Sequence, residues 1–314
     1  MRDISNFSLL DIKGDCFDMI IASFAQWLKG EYRFLFIDCL GFNILETGNT
    51  LGERIYVDKG DIIDAANKNG IATDFYESCD LDINKITYLL NEYNPLVLEL
   101  DEYDCYWRKN YLKIHRKHYV LLLEYSLTLV KLKCIDTFPN DDTLTLPGEF
   151  VKEKVSKIIC LSDNRQPTKK YNLSESIAPT IEKFNNSNKI GSMWDRYFLL
   201  VEEMITSFSL ESEVQGFEDV DIIFTPIIWN LKSILFSFNQ YQYFLEFINT
   251  EITKPLIQQL ELIMHSWEIA TNIMTLSIIR KDYSFKKEKV QEYLRKAIDE
   301  EKRFIDQLSS LVVT

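Results

Sequence analysis

The chain has 314 residues, 46% of them apolar and 26% charged, with a net charge of −13. That length and balance give a globular protein with a sizeable core, in one large domain or two smaller ones, and exclude a disordered chain. The acidity argues against nucleic acid or an anionic membrane as the main partner, and no unbroken apolar run reaches the roughly 18 residues of a membrane span.

The opening "MRDISNFSLLDIKGDC" has no basic region followed by an apolar core, so no signal peptide is expected, and the expected location is cytoplasmic. "DCFDMIIASFAQWLKG" follows. Its apolar residues Phe17, Ile20, Ile21, Phe24, Trp27 and Leu28 have the spacing of an amphipathic helix, and Gly30 is the expected stop. "PLVLELDEY" predicts a strand after Pro95. "HYVLLLEY" and "TLVKLKCIDTF" predict two more, joined by a turn near Glu124–Thr128. Residues 162–190 are polar and rich in Ser, Asn, Pro and Lys, which predicts a linker with at most one short helix after Ser174. From Gly191 onward the pattern is helical, with segments expected at Met193–Leu210, Pro226–Thr250, Pro255–Arg280 and Ser284–Leu311. In the last of these Val290, Leu294, Ile298 and Ile305 form an apolar stripe on a charged helix, which predicts a surface helix packed on the others. The expected architecture is α+β: a catalytic domain at 1–161, a polar linker at 162–190 and a helical region at 191–314.

Six cysteines, at positions 16, 39, 79, 105, 134 and 160, never form a CxxC pair, so they read as reduced thiols, not as a disulfide framework or a zinc site. Cys16 stands where the first helix should begin. The partial positive charge and unpaired N–H groups of a helix start lower a thiol pKa and favour the thiolate; a small buried residue is the other reading of a lone cysteine. His118 opens one predicted strand and Asp136 closes its neighbour. In an antiparallel pair the start of one strand lies beside the end of the next, so the carboxylate can orient the imidazole. A helix-start cysteine, a strand histidine and an acid on the following strand is the order of a papain-type site, with a nucleophile, a base and an orienting group. Separately, His118 can be a strand-edge histidine and Asp136 a turn acceptor. His115 is open to substrate contact or to a partly exposed role, His265 lies in a helical pattern and reads as structural, and Cys39 reads as core. No Gly-rich phosphate loop appears, which fits a mechanism without nucleotide.

The first half also resembles a known family, the butirosin-biosynthesis acyltransferases, a branch of the papain-like cysteine peptidases near those that cleave bacteriocin leaders. The resemblance rests on "GDCFDMIIASFAQWLKG" for the nucleophile helix and "FIDCLGFNI" after it. It continues in "NPLVLELDEYDCYWRKNYLKIHRKHYVLLLEY" for the histidine strand and "VKLKCIDTFP" for the strand ending in the acid, and covers about residues 10–150. It implies a papain-like fold with Cys16, His118 and Asp136 as the catalytic triad. It also implies transfer of an acyl group from the phosphopantetheine thiol of an acyl or peptidyl carrier protein to a small amine or diamine. The amide-forming, protease-like enzymes of closthioamide-type natural-product assembly are the closer parallel. No bound cofactor or metal is implied. The chain departs from the papain pattern in one respect: "FSLLDIKGD" contains no glutamine to complete an oxyanion hole, so the second donor is unassigned. A peptidase or amide hydrolase using the same triad, a catalytically silent binding protein and a purely structural role stay open. Finally, Trp194, Phe198, Trp229, Phe236, Phe238, Tyr241, Phe244 and Trp267 recur at helical spacing. The expectation is that their helices wall an acyl channel to Cys16, with a dimerisation module as the rival.

Overall fold

The computed structural model describes residues 6–77, 82–126, 131–136, 142–185, 192–248, 251–284 and 286–312. In chain order the elements are α1 (Cys16–Lys29), β1 (Phe42–Ile44), α2 (Leu51–Arg54), β2 (Ile55–Val57), α3 (Ile62–Lys68), β3 (Ile71–Glu77), α4 (Ile83–Tyr93), β4 (Leu96–Asp101), β5 (Lys117–Ser126), β6 (Lys131–Asp136), β7 (Asp142–Pro147), α5 (Gly148–Lys154), β8 (Val155–Asp163), α6 (Leu173–Asn185), α7 (Met193–Thr206), α8 (Leu210–Val214), α9 (Pro226–Ile248), α10 (Thr253–Ile279) and α11 (Lys287–Val312). The chain is mixed α+β and divides into two compact units. One comprises Met1–Leu35 and Ile62–Lys169, the other Phe36–Asp61 and Lys170–Thr314.

The first unit is built on a six-stranded antiparallel sheet in the order β3-β8-β4-β5-β6-β7. One face carries Leu98, Leu100, Val120, Leu122, Leu132, Cys134, Ile158 and Cys160 into a core closed by Ile86, Leu89 and Leu90 of α4 and Val151 of α5. The alternation of side chains along each strand selects these positions. α1 packs on β5 and β8, burying Ile20, Ile21 and Phe24. Burial of side chains this size stabilises by roughly 1.5–3 kcal/mol each. Both ends of α1 are fixed locally. Asp15 accepts from the backbone N–H of Asp18 at 2.9 Å while the Asp18 side chain accepts from that of Asp15, and Gly30 closes the helix at φ 71, a conformation that disfavours any residue with a Cβ. The expected stop at Gly30 is therefore the observed one, and the strands expected after Pro95, at His118 and at Asp136 are β4, β5 and β6. The turn expected near Glu124–Thr128 is replaced by strand through Ser126, and residues 127–130 lie outside the described ones.

The second unit is helical, with β1 and β2 as an antiparallel pair. Residues 36–61, expected in the catalytic domain, belong here: β1 packs on α7, and α2 and β2 pack on α9. Gly52 shows how tight that packing is. A Cβ there would stand 2.3 Å from the Ile227 nitrogen, and the Gly52 N–H donates to the buried Glu213 carboxylate at 3.0 Å. The segment expected to be a linker is also different. β8 runs to Asp163, and α6 packs on α11 and α7 with Ile177 and Phe184 fully buried. Its Ser- and Asn-rich composition and Pro179 within the helix hid an apolar stripe at Leu173, Ile177 and Phe184. Of the aromatics expected to wall a channel, Phe238, Tyr241, Phe244 and Trp267 are buried in this unit's own core. Tyr241 stacks edge-on to Phe304 at 6.1 Å, and Tyr197 lies 6.3 Å from Trp267. Phe198, by contrast, is 70% exposed. Among the described residues one helix, α10, is long and apolar enough to cross a membrane by length and composition. The run-length reading passed over it because polar residues interrupt it.

Candidate active site

The sheet register brings two of the expected site residues together. Val120 stands opposite Asp136 and Leu100 opposite His118. Residues directly opposite share a face, and so do residues two apart on one strand. His118 and Asp136 therefore project from the same face as Val120, diagonally across β5 and β6. His118 Nε2 lies 3.1 Å from Asp136 Oδ1, a close approach that does not meet the geometry of an aligned hydrogen bond. Both side chains are sealed from solvent.

Asp136 has two further partners that the sequence did not reveal. The Trp107 indole N–H donates to Oδ2 at 2.7 Å, and the Arg108 guanidinium approaches the same oxygen at 3.6 Å. Burial alone would raise the Asp136 carboxyl. His118, Arg108 and Trp107 outweigh it and hold the pKa below the usual carboxylate range. The network continues into Glu102, fully buried, which takes Arg116 at 2.9 Å, Asn110 at 3.0 Å and Arg108 at 3.5 Å. The stretch "DEYDCYWRKN" shows its aromatic and basic residues as a cluster in the sequence, but not as inward-facing partners of one carboxylate.

Cys16 is the first residue of α1 and is buried. The backbone N–H of Tyr119, the residue after His118, donates to its thiol, and Phe17 packs its ring on that of Tyr119 at 4.6 Å. The helix start does not deliver the expected thiolate. Burial, then the Asp15 charge, push the thiol pKa up to about 12, against smaller downward pulls from the Tyr119 N–H and Arg116. Burial is the larger cause, and the residue capping the helix adds an anion next to the sulfur. His118 Nδ1 is buried with no hydrogen-bond partner among the described residues, the Cys16 thiol included. Alternation along β5 points His118 to the face that carries Asp136 and Tyr119 to the other, where Phe17 of α1 packs, so the acid lies on the imidazole, the thiol on the adjoining peptide, and no direct thiol–imidazole bond is present.

The rivals fall elsewhere. His115 is exposed, holds Asp101 Oδ2 at 2.8 Å through Nδ1 and stacks on Tyr103 at 4.2 Å. His265 is exposed on α10, not a structural core residue. Cys39 is buried and donates to the Ser237 carbonyl at 3.2 Å. Cys105, Cys134 and Cys160 are small core residues of the first unit, and Cys79 lies outside the described residues.

No known family model matches the chain, and no curated protein matches it in sequence.

Proposed function

We propose that the first unit is a papain-like cysteine acyltransferase. In this reading Cys16 takes an acyl group from a carrier-protein thioester and hands it to a small amine. The observation that supports it is the His118–Asp136 pair one residue from the peptide that holds the Cys16 thiol. The unpartnered His118 Nδ1 is the group that accepts the thiol proton as the sulfur attacks the thioester carbonyl. The carrier thiol then leaves with a proton, and His118 deprotonates the incoming amine. Asp136 keeps the ring oriented and stabilises its charged form. Because the resting thiol is protonated at neutral pH, proton transfer belongs to the attack itself and not to a standing thiolate–imidazolium pair. Catalytic hydrogen bonds often tighten only when substrate is bound, and the approach of imidazole to thiol is placed at that stage. Starting from a thioester, amide formation runs downhill without nucleotide.

A second reading is a catalytically silent protein whose buried network is structural. The buried, high-pKa thiol and the absent thiol–imidazole bond favour it. Intact-protein mass spectrometry after incubation with acyl thioesters, then amines, separates the two. The transferase gives an acyl adduct that Cys16→Ala abolishes and an amine discharges as amide. Discharge by water alone identifies a hydrolase. A folded wild-type protein that forms no adduct with any thioester sinks the catalytic reading.

A further inference from the structure

Residues 105–117, "CYWRKNYLKIHRK", join β4 to β5 and hold five Lys and Arg but no acid, in a chain whose net charge is −13. The segment is ordered: Cys105, Arg108, Tyr111, Leu112 and Lys113 each donate a local backbone hydrogen bond of 2.8–3.2 Å. Its inward side is in use, since Trp107, Arg108, Asn110 and Arg116 reach Asp136 and Glu102. Its outward side is not explained by the fold. Tyr111 is 40% exposed and Leu112 54%, with Lys109 and Lys113 exposed beside them. The nearest acids are engaged elsewhere, Asp101 by His115 and Asp104 by Lys154, both at 2.8 Å. Lys113 has no carboxylate partner among the described residues. Leu112 is a second, independent sign. Its φ is 56, a left-handed backbone that Gly or Asn enters readily and a bulky side chain enters at a cost. A leucine there, with its side chain largely in water, does nothing for the fold that asparagine would not do better. Strain held at an exposed position points to a contact made outside the chain.

We propose, on the acyltransferase reading, that this outward side is the subsite for the phosphopantetheine arm of the thioester donor. Lys113 and Lys109 hold the phosphate, and Leu112 packs on the dimethyl group that stands beside that phosphate in the arm. The chemistry fits on both counts: an ammonium pairs strongly with a phosphate oxygen, and an exposed leucine next to it meets the arm's apolar carbons. The position fits as well. The segment runs directly into β5, and Tyr119, whose N–H holds the Cys16 thiol, is six residues from Lys113, at most about 20 Å of extended chain. A pantetheine arm spans such a distance, with its phosphate at one end and its thioester at the other. Nucleic acid fits less well, because a long polyanion would run past the segment onto a chain with 48 acids against 35 Lys and Arg.

The test is fluorescence anisotropy of the full chain with two probes, phosphopantetheine and pantetheine, each labelled on its thiol and differing only in the phosphate. Circular dichroism and thermal melts control for folding. The phosphorylated probe should bind about tenfold more tightly at low salt, and the difference should shrink as salt rises from roughly 50 to 500 mM. Lys113→Glu, at an exposed position, should keep the fold and remove most of that difference. Leu112→Asn should melt no lower than the wild type, because asparagine tolerates the left-handed backbone, and should weaken both probes by about three- to tenfold. Equal binding of the two probes, or a difference that survives Lys113→Glu, overturns the subsite. A Leu112→Asn variant that melts lower and binds both probes as before overturns the part given to Leu112. A short single-stranded oligonucleotide that displaces the label at lower concentration than unlabelled phosphopantetheine assigns the surface to nucleic acid and overturns the proposal. Acylation of Cys16, read by mass spectrometry, reports on the transferase separately. Acylation without a phosphate preference in binding rejects the subsite and keeps the transferase. Phosphate-dependent binding that Lys113→Glu removes, in a protein that no thioester acylates, keeps the subsite and rejects the transferase.

Discussion

Asp136 in the first unit and Glu301 in the second are both carboxylates sealed from solvent, and their pKa values move in opposite directions. Burial raises Glu301 to about 8. The donors that reach it, the Trp267 indole at 2.8 Å and the Tyr197 hydroxyl, are neutral and offset only part of the desolvation. Asp136 meets the same desolvation with His118 and Arg108 beside it and ends below its ordinary value. Burial therefore does not decide whether a carboxylate stays ionised; the charge of its partners does. The helical core accommodates an acid by keeping it protonated at neutral pH, whereas the sheet accommodates one by setting a guanidinium, an imidazole and an indole N–H against it. Only the second arrangement presents a fixed anion to an imidazole.

The largest expected effect comes from breaking the charged network. Asp136→Ala leaves Arg108, His118 and Trp107 without their shared acceptor in a buried site. It should lower unfolding free energy by about 3–5 kcal/mol in denaturant titration, whereas Glu301→Gln, which is neutral both folded and unfolded, should raise it by about 2–4 kcal/mol at pH 7 by removing the cost of protonating the buried acid. Equal losses for the two variants would erase the distinction.

pH sharpens the comparison further. The folded pKa of Glu301 is raised, so its contribution is fully present below the unfolded value of 4.5 and is lost as pH rises through about 8. Melts between pH 5 and 9 should show a decline of a few kcal/mol that Glu301→Gln flattens. The folded pKa of Asp136 is lowered, so its contribution is present above the unfolded value of 3.8 and is lost as pH falls through the folded one. Asp136→Asn should flatten that acid limb and leave the alkaline one alone.

Smaller effects probe single partners. Trp107→Phe removes one donor to a charged acceptor and should destabilise by about 1.5–3 kcal/mol; a change near zero would mean that Arg108 and His118 suffice. Asp15→Asn keeps a capping side chain but removes the anion beside Cys16. It should speed iodoacetamide labelling of Cys16 at neutral pH by roughly three- to tenfold. An unchanged rate would assign the raised thiol pKa to burial alone.

Legibility in the sequence followed the range of the interactions. α1 was readable because its apolar spacing, its first residue and Gly30 are all local, and β4, β5 and β6 because their apolar runs are long. The nearness of His118 to Asp136 followed from hairpin geometry. Trp107, Arg108 and Glu102 were not readable as partners of that pair. They sit in an irregular segment, and no periodicity says that a basic, aromatic loop folds inward onto a carboxylate. β1 and β2 were missed because three residues are too few to show alternation, and β3 because only Ile71 of its seven residues is buried. α6 was missed because its polar residues outnumber the few apolar ones that anchor it. The thiolate expectation failed because a helix-start argument sees neither the burial of the sulfur, which dominates, nor the charge of the residue that does the capping.

The excursion of Phe36–Asp61 into the second unit has a consequence for biosynthesis. That segment leaves the ribosome long before α9, on which α2 and β2 pack. At translation rates of about 5–20 residues per second, it waits on the order of ten seconds for its partner to emerge. During that interval its apolar residues, Phe36, Leu40, Phe42 and Ile44 among them, have nowhere of their own to go. The nascent chain thus carries an apolar segment that a holding chaperone can occupy, and slowing translation between residues 62 and 226 should lengthen that occupancy.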